Sequence, residues 1–340
     1  MKPDTPAVFI AEAGINHDGN IDTALEMVDI AADAGADYVK FQSFVPEKLV
    51  IPNSTTSSYI DQGSRQGEDF RGLLQRLQLK EEHILAIKER CGHKNISFLS
   101  TAFDSHSFDF LVDIGIDVVK IASGDLTNLP FLSHVSSSGL PIILSTGMAT
   151  LGEIEEAVDT ISREGNDELV LLHCISWYPA NVDSVNLRYM ETLRSAFSVP
   201  VGYSDHTLGT AVAVAARALG AIVLEKHFTI DSNAFGPDHA ASIEPPVLRN
   251  LIRDIRDVEK CLGVSKRQFC DKEISQRLVH RRSIVTTRQI ELGEKLSSDN
   301  LSLKRPGSGI QPREWDSVLG KSAVRKIEND SILQWTDISN

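Results

Sequence analysis

Hydrophobic residues in the first three-quarters of the chain fall into short continuous runs, each preceded by an amphipathic stretch that ends at a glycine. The segments AGADYVKFQS (34–43), IGIDVVKIAS (114–123), SGLPIILST (138–146) and LGAIVLEKHF (219–228) repeat this arrangement. Glycine ends a helix readily because it adopts the left-handed conformation. Unbroken apolar runs are typical of parallel strands buried on both faces. The pattern therefore predicts helices alternating with parallel strands.

Eight strands are predicted, around residues 7–13, 37–43, 97–102, 118–123, 141–147, 169–174, 199–205 and 222–228. Eight such βα units suggest an α/β fold of the (β/α)8 TIM-barrel type, which we assign to residues 1–265 as the catalytic domain. The loop from Phe44 to Gly67 is long, polar and rich in serine and threonine. Loops of this kind are functional lids or simply mobile.

The composition changes after the barrel. Residues 266–281 are polar and charged and are predicted to form a linker. Residues 282–340 contain short apolar segments separated by turn signals at Leu292-Gly293, Pro306-Gly307 and Gly309, which predicts a small β-rich domain. A domain of this size is marginally stable alone, so we expect it to dock on another surface.

Charge and cysteine usage exclude several classes of function. The net charge of −13 and the pI of about 5.2 argue against a diffuse nucleic-acid surface. No apolar run approaches the roughly 18 residues of a membrane span, and no signal peptide is recognised. Four cysteines lie scattered without CxxC spacing, which is typical of a reducing compartment. We therefore expect a cytoplasmic protein.

Polar residues occupy the carboxyl ends of all eight predicted strands, where the active sites of such barrels lie. They are Glu12, Lys40, Gln42, Thr101, Lys120, Ser123, Ser145, Thr146, His173, Ser204, His206, Glu225 and His227. One polar residue at a strand end is most often a structural hydrogen-bonding group. Convergence from eight strands favours a functional site.

Two histidines in this set suggest a metal site. Side chains alternate across a strand, so Glu225 and His227 share one face and Lys226 takes the other. Lys226 would then point to the helix layer, where we expect a salt bridge to a helix. His206 ends the neighbouring strand, and the two imidazoles together with water and substrate oxygens would suit Mn²⁺ or a similar divalent ion. The alternative is a pair of structural core histidines.

Two lysines in the set suggest an anion site. Lys40 and Lys120, with hydroxyl groups around them, match a phosphate or a carboxylate. Alternatively, the lysines pair with Glu12 and Glu225 in a structural network, or one lysine is a Schiff-base nucleophile. The two glutamates are candidates for acid–base work, whereas Asp238, judged alone, is better explained as a turn residue.

Motifs along the whole chain resemble those of the sialic acid synthase (N-acetylneuraminate synthase) family. They are AEAGINHDG, VKFQS, STAFD, KIASGDLTN, PIILSTGM, LLHCISWYP, GYSDHTLG, LEKHFT and GPDHAAS, followed by RRSIV and DNLSLKRPGSGI. The last two are similar to the SAF (antifreeze-like) domain of that family.

The resemblance implies a metal-dependent condensation of phosphoenolpyruvate with N-acetylmannosamine, or a related 2,4-diacetamido hexose, to give a nine-carbon 2-keto acid and phosphate. The implied metal is Mn²⁺, with Mg²⁺ or Co²⁺ as alternatives. The implied assembly is a domain-swapped homodimer without nucleic-acid or membrane partners. The implied roles are phosphoenolpyruvate binding by Lys40, Thr101, Lys120, Ser123, Ser145 and Ser204, metal binding by His206 and His227, catalysis by Glu12 and Glu225, and sugar binding by Gln42, Tyr178, Asp238 and the partner subunit's Arg305.

The exact sugar is the open question at this level. Ser176 stands where some family members have asparagine, and Arg281 and Arg282 stand where some have an apolar residue. His173 and the SGD sequence at 123–125 favour neuraminate or N,N'-diacetyllegionaminate as the product over pseudaminate. The few basic residues near the expected sugar site favour an unphosphorylated sugar. A Schiff-base aldolase is a further alternative, as is a non-enzymatic role of the SAF-like domain.

Overall fold

The computed structural model describes residues 5–54, 60 and 63–339, and the chain divides into two compact units, Met1–Gly263 and Val264–Asn340. The first unit contains a closed barrel of eight parallel strands in sequential order, which confirms the predicted (β/α)8 fold. The strands are Val8–Gly14 (β1), Tyr38–Ser43 (β2), Ser97–Ala102 (β3), Val119–Ile121 (β4), Ile142–Ser145 (β5), Leu169–Cys174 (β6), Val201–Asp205 (β7) and Val223–His227 (β8).

Of the helices that the structure describes in this unit, all but Pro46–Leu49 and Phe70–Leu77 bury their apolar faces in the core against the strands. The helices are Ile21–Ala34 (α1), Pro46–Leu49 (α2), Phe70–Leu77 (α3), Glu81–Lys94 (α4), Ser105–Asp113 (α5), Leu129–Ser136 (α6), Leu151–Arg163 (α7), Tyr189–Phe197 (α8), Ala211–Ala218 (α9) and Pro245–Leu262 (α10).

Local sequence signals set the limits of these helices. Helix α1 begins where the Asn20 side chain accepts hydrogen bonds from the amides of Asp22 and Thr23, and it ends at Gly35 with φ of 86°. Helix α2 lies inside the stretch predicted as a polar loop. Residues 55–59 and 61–62 of that predicted lid lie outside the described residues.

The interior of the barrel is apolar at its lower level and polar at its carboxyl end. Tyr38 packs against the apolar cluster that fills the lower level, whose buried members are Ile10, Leu99, Val118, Ile143, Val170, Leu172, Ile222 and Val223. Because side chains on one face of a strand recur every second residue, the next inward positions on most strands belong to the predicted site. Ile10 is followed by Glu12, Leu99 by Thr101, Val118 by Lys120, Ile143 by Ser145 and Val223 by Glu225. The apolar layer thus forms the floor on which the polar groups stand.

The second unit has its own small core and an antiparallel pair of strands, Ser283–Thr286 (β9) and Leu301–Lys304 (β10). Isolated bridges such as Ile290 with Ile327 extend this pairing, and a short helix spans Trp315–Val318 (α12). The stretch predicted as a linker, 266–281, contains a helix, Asp271–His280 (α11), which buries none of its residues. Among the helices that the structure describes, none has the length and apolar character needed to cross a membrane.

Candidate active site

A cavity of about 420 Å³ opens at the carboxyl end of the barrel. Its lining contains most of the residues predicted to form the site: Glu12, Lys40, Gln42, Thr101, Lys120, Ser123, Ser145, Tyr178, Ser204, His206, Glu225, His227 and Asp238. Thr146 and His173, which also end strands, do not line it. Thr146 donates its hydroxyl to the carbonyl of Leu172, and the His173 ring bonds to the carbonyl of Val185. Both are therefore structural groups.

The lysines hold neighbouring hydroxyls at the cavity floor. Lys40 Nζ donates to Thr101 Oγ1 at 2.9 Å, and Lys120 Nζ donates to Ser145 Oγ at 2.7 Å and to the carbonyl of Ile121 at 3.0 Å. Both ammonium groups are almost fully buried. Two buried cations with adjacent hydroxyls form a cradle suited to a small polyanion.

The same lysines contact both predicted carboxylates. Lys40 Nζ lies 2.7 Å from Glu12 Oε2 and 3.6 Å from Glu225 Oε2, and Lys120 Nζ lies 4.0 Å from the latter atom. The ion-pair network considered from the sequence is therefore present. It lines an open cavity, so it does not exclude an anion-binding role.

The environment moves the pKa values of the two carboxyl groups apart. Burial raises the pKa of Glu12 to about 7 against the opposing effect of Lys40. Burial also disfavours ionisation of Glu225, but Lys120 and Lys40 outweigh it and lower its pKa to about 2. At Lys40 burial acts to lower the pKa, and Glu12 and Glu225 overcome that effect and raise it. A pair of carboxyl groups with separated pKa values provides a group that exchanges protons near neutral pH and one that stays ionised.

A glycine inside the motif PIILSTGM, to which the sequence analysis gave no role, completes the cradle. The Gly147 amide donates to Ser123 Oγ at 3.0 Å, and Ser123 Oγ lies 3.3 Å from Cys174 Sγ. A Cβ atom on Gly147 would lie 2.2 Å from Ser176 Oγ and 2.8 Å from Ser123 Oγ. The absence of a side chain at Gly147 therefore keeps this corner of the cavity open. The sequence signals for Gly147 were its place in that motif and its position two residues after the end of β5.

The two histidines lie side by side, with ring centroids 5.5 Å apart. A ring nitrogen of His206, Nδ1, donates to the carbonyl of Ile175 at 2.6 Å, which makes Nε2 the acceptor of the neutral ring, 3.3 Å from the Ser204 hydroxyl. Burial lowers the pKa of His206 to about 4, and burial with the neighbouring His206 lowers that of His227 well below its usual value. Both imidazoles are thus neutral, as metal ligands must be.

The buried Nδ1 atom of His227 has no hydrogen-bond partner among the described residues, and the nearest carboxylate oxygen, from Asp238, is 3.7 Å away. An unsatisfied buried nitrogen costs free energy that a bound ion would offset. In the part of the chain that the structure describes, no group of three or more His, Cys, Asp and Glu side chains is placed to hold a metal. A metal on this pair would need water or substrate oxygens as further ligands.

The observed partner of Lys226 shows that the predicted salt bridge to a helix is wrong. Lys226 does lie on the opposite face of β8 from Glu225 and His227, but its partner is Asp205 on the adjacent strand β7, at 2.8 Å. Periodicity gave the face correctly, and only the register of the two strands reveals the partner.

The upper part of the cavity carries the predicted sugar-binding groups of the barrel. Tyr178 lies against His206 with ring centroids 4.1 Å apart. Asp238 is buried, and burial raises its pKa to about 6. Gln42 Nε2 and Asp238 Oδ2 both approach the position that a Cβ of Gly14 would occupy. Apolar side chains from α3, namely Leu73, Leu74 and Leu77, form part of the wall. Arg305 belongs to the second unit, where it is exposed directly after β10.

Comparisons with known proteins match nearly the whole chain. A family model described as NeuB family matches residues 27–267, and a model described as SAF domain matches residues 281–339. The chain is 42% identical over 334 residues to the N,N'-diacetyllegionaminic acid synthase of Legionella pneumophila, with 97% of this chain and 94% of that protein covered. A protein of the same name from Campylobacter jejuni is 41% identical, with 96% and 98% covered. Among solved structures, the N-acetylneuraminic acid (sialic acid) synthetase from Leptospira borgpetersenii, in complex with citrate, matches with a TM-score of 0.70 and 36% identity over 80% of this chain and 90% of that chain.

Proposed function

The chain belongs to the NeuB family of sialic-acid-type synthases, and on that premise we propose that it condenses phosphoenolpyruvate with an unphosphorylated 2,4-diacetamido hexose and water. The products are N,N'-diacetyllegionaminate and inorganic phosphate. The observation that carries the proposal is the buried cradle of Lys40, Thr101, Lys120 and Ser145 beside two carboxylates of separated pKa. N-acetylmannosamine, the first expectation from the sequence, is the competing sugar.

Phosphoenolpyruvate carries a carboxylate and a phosphate, and the cradle offers cations and hydroxyls for both. Lys40 and Thr101 stand on one side, and Lys120 and Ser145 on the other. Ser123 and Ser204 extend the ring of hydroxyls at the rim. Hydrogen bonds from charged donors to such anions are roughly twice as strong as neutral ones.

The sugar side of the cavity favours an unphosphorylated, partly apolar substrate. Among the described residues that line the cavity, the cationic side chains are Lys40 and Lys120, both at the floor. A phosphate on the sugar would therefore lack a cation from the barrel. Acetamido methyl groups can pack against the apolar wall from α3, while Gln42, Tyr178 and Asp238 supply polar contacts.

His206 and His227 would hold the divalent metal, with Mn²⁺ first and Mg²⁺ or Co²⁺ as alternatives. Their neutral imidazoles and the unpartnered nitrogen of His227 support this assignment. When bound there, the metal would supply Lewis-acid polarisation of the sugar's aldehyde oxygen.

The reaction forms a bond between C3 of phosphoenolpyruvate and the aldehyde carbon of the sugar. Glu12 suits the role of proton donor to the aldehyde oxygen, because its pKa of about 7 lets it carry a proton near neutral pH. Glu225 stays ionised and stabilises the positive charge that develops at C2. Water then adds at C2 and returns a proton to Glu12. Cleavage of the bond between C2 and the phosphate oxygen transfers the remaining hydroxyl proton to phosphate and leaves the 2-keto acid.

The assembly is proposed to be a domain-swapped homodimer in which the partner subunit's Arg305 completes the sugar site. We expect Arg305→Ala and His206→Ala each to be nearly inactive alone, because each lacks one part of every composite site. After subunit exchange the mixture should recover about one quarter of the wild-type activity, since half of the dimers are mixed and one of their two sites is intact. The measurement is phosphate release after exchange verified by native mass spectrometry. Exchange without recovery would contradict sharing between subunits.

The decisive test of the function is phosphate release from phosphoenolpyruvate with a panel of sugars. The panel contains the 2,4-diacetamido hexoses that lead to legionaminate and pseudaminate, N-acetylmannosamine, its 6-phosphate and arabinose 5-phosphate. We expect the highest kcat/KM with the legionaminate precursor and loss of turnover after chelation of the metal. Higher kcat/KM with the 6-phosphate would contradict the choice of an unphosphorylated sugar. Borohydride trapping of pyruvate on Lys40 or Lys120 would instead establish a Schiff-base aldolase.

A further inference from the structure

A buried ion pair lies directly behind the two histidines. Lys226 and Asp205 are each about 1% exposed, and they are paired residues in the register of β7 and β8. Lys226 Nζ donates to Asp205 Oδ2 at 2.8 Å. His206 follows Asp205 and His227 follows Lys226 in the chain, so the ion pair joins the two strands one residue before each histidine.

The same two side chains also hold the segment after β7. Asp205 Oδ1 accepts hydrogen bonds from the amide of Thr207 at 3.0 Å and from its hydroxyl at 2.8 Å. Lys226 Nζ donates to the carbonyl of Thr207 as well. The residues on both sides of His206, Asp205 and Thr207, therefore belong to one network of hydrogen bonds. Its own carbonyl accepts from the amide of Ala180 at 2.8 Å, which limits its movement further.

Stability alone is a poor explanation for this arrangement. Removing two charges from water is costly, and apolar residues of similar volume often replace a buried ion pair without loss of stability. Leu224 and Phe228, on the same face of the chain as Lys226, are buried and apolar, while the buried Tyr203 on β7 donates its hydroxyl to Asp205 Oδ1 at 3.4 Å. What the pair adds is directional bonds that set the backbone on both sides of His206.

We propose that Lys226 and Asp205 are positioning residues that hold His206 and His227 at the mutual placement that a divalent metal needs. The inference rests on the proposed metal site. Lys226 and Asp205 touch neither substrate nor metal, and they act through the backbone of β7, β8 and Thr207. Groups that orient metal ligands typically change metal affinity by about 10- to 100-fold when they are removed.

The test is Mn²⁺ binding to the substrate-free protein, measured as the loss of the electron paramagnetic resonance signal of the free ion. Lys226→Met keeps much of the side-chain volume and removes the charge and both hydrogen bonds. We expect about 10- to 100-fold weaker Mn²⁺ binding and unchanged affinity for phosphoenolpyruvate measured without metal. His206→Ala, which should abolish Mn²⁺ binding, verifies that the signal reports this site.

Arg217→Met is the matched control. Arg217 forms another buried ion pair of the barrel unit, with Glu259 at 3.0 Å, and it joins α9 to α10 away from the cavity. The Arg217→Met variant should have a lower thermal stability than the wild type and an unchanged affinity for Mn²⁺. Equal Mn²⁺ affinity in wild type and Lys226→Met, or an equal loss in Arg217→Met, would overturn the inference.

If Lys226→Met does not fold, Thr207→Val removes one hydrogen bond to Asp205 with little change of shape and should weaken Mn²⁺ binding in the same direction. Wild-type affinity in that variant would then overturn the inference. If the wild-type protein binds none of Mn²⁺, Mg²⁺ and Co²⁺, both the metal assignment in the proposed function and the inference are wrong. If the wild-type protein binds the metal and the variants bind it equally well, only the inference is wrong.

Discussion

Lys120→Met is expected to lower the affinity for phosphoenolpyruvate by roughly 30- to 4,000-fold, which corresponds to the 2–5 kcal/mol typically lost when one partner of a buried charge contact is removed. Lys120 donates to Ser145 and to the carbonyl of Ile121, and it is almost fully buried at the floor of the cavity. Methionine fills a similar volume but has no ammonium group. Half of the cationic charge of the cradle would be lost.

The substitution also changes the state of Glu225. Lys120 is the strongest of the groups that lower the pKa of Glu225, and Lys40 is the next. Without Lys120 the pKa of Glu225 should rise from about 2, so the acidic limb of the kcat–pH profile should move to higher pH. A loss in kcat that grows as the pH is lowered is therefore expected in addition to the loss in binding.

Calorimetric titration of phosphoenolpyruvate and phosphate-release kinetics measure the two effects separately. Lys260→Met is the control, because Lys260 is exposed on α10 with only a surface ion pair to Asp257 and should bind phosphoenolpyruvate as wild type does. Wild-type affinity in Lys120→Met would remove phosphoenolpyruvate from this cradle and leave the network of lysines and glutamates as a structural feature.

Much of the fold and the inner face of the site follow from periodicity. Continuous apolar runs, four of them preceded by a helical stretch that ends at glycine, identified all eight strands, because a parallel strand buried on both faces is apolar over most of its length. Alternation then separated Glu225 and His227 from Lys226, and the structure places them as expected. These predictions need only the local geometry of a strand.

The contacts that periodicity could not predict depend on register and on loop paths. The partner of Lys226 is decided by how β8 aligns with β7, which no single strand encodes. Thr146 and His173 end their strands as the site residues do, yet they bond to the backbone carbonyls of Leu172 and Val185. A position at a strand end therefore indicates a candidate, and the direction of the side chain must come from the tertiary structure.

Gly147 is the clearest case of a residue without a chemical signal. It has no functional group, and its importance arises only because the ends of β5 and β6 and the turn after β4 meet around it. Ser123, Cys174 and Ser176 all approach the point where its Cβ would lie.

Gly147→Ala is expected to raise the KM for phosphoenolpyruvate by roughly 5- to 150-fold, which corresponds to about 1–3 kcal/mol for overpacking. The added methyl carbon would lie 2.2 Å from Ser176 Oγ, 2.8 Å from Ser123 Oγ and 3.0 Å from Cys174 Sγ. These short side chains can move only by turning into the cavity or by shifting the backbone. Either change would displace Ser123, which holds the Gly147 amide at 3.0 Å.

Gly152→Ala separates this effect from a general response to alanine. Gly152 lies five residues further along in α7, and a Cβ there would meet nothing within 4 Å. Alanine favours helix formation over glycine by about 1 kcal/mol, so this variant should be at least as stable as wild type with unchanged KM. For Gly147→Ala, steady-state kinetics should show a raised KM for phosphoenolpyruvate with a nearly unchanged KM for the sugar. Equal changes in both constants would mean that the methyl group distorts the whole mouth of the barrel, and the separate anion cradle would then be wrong.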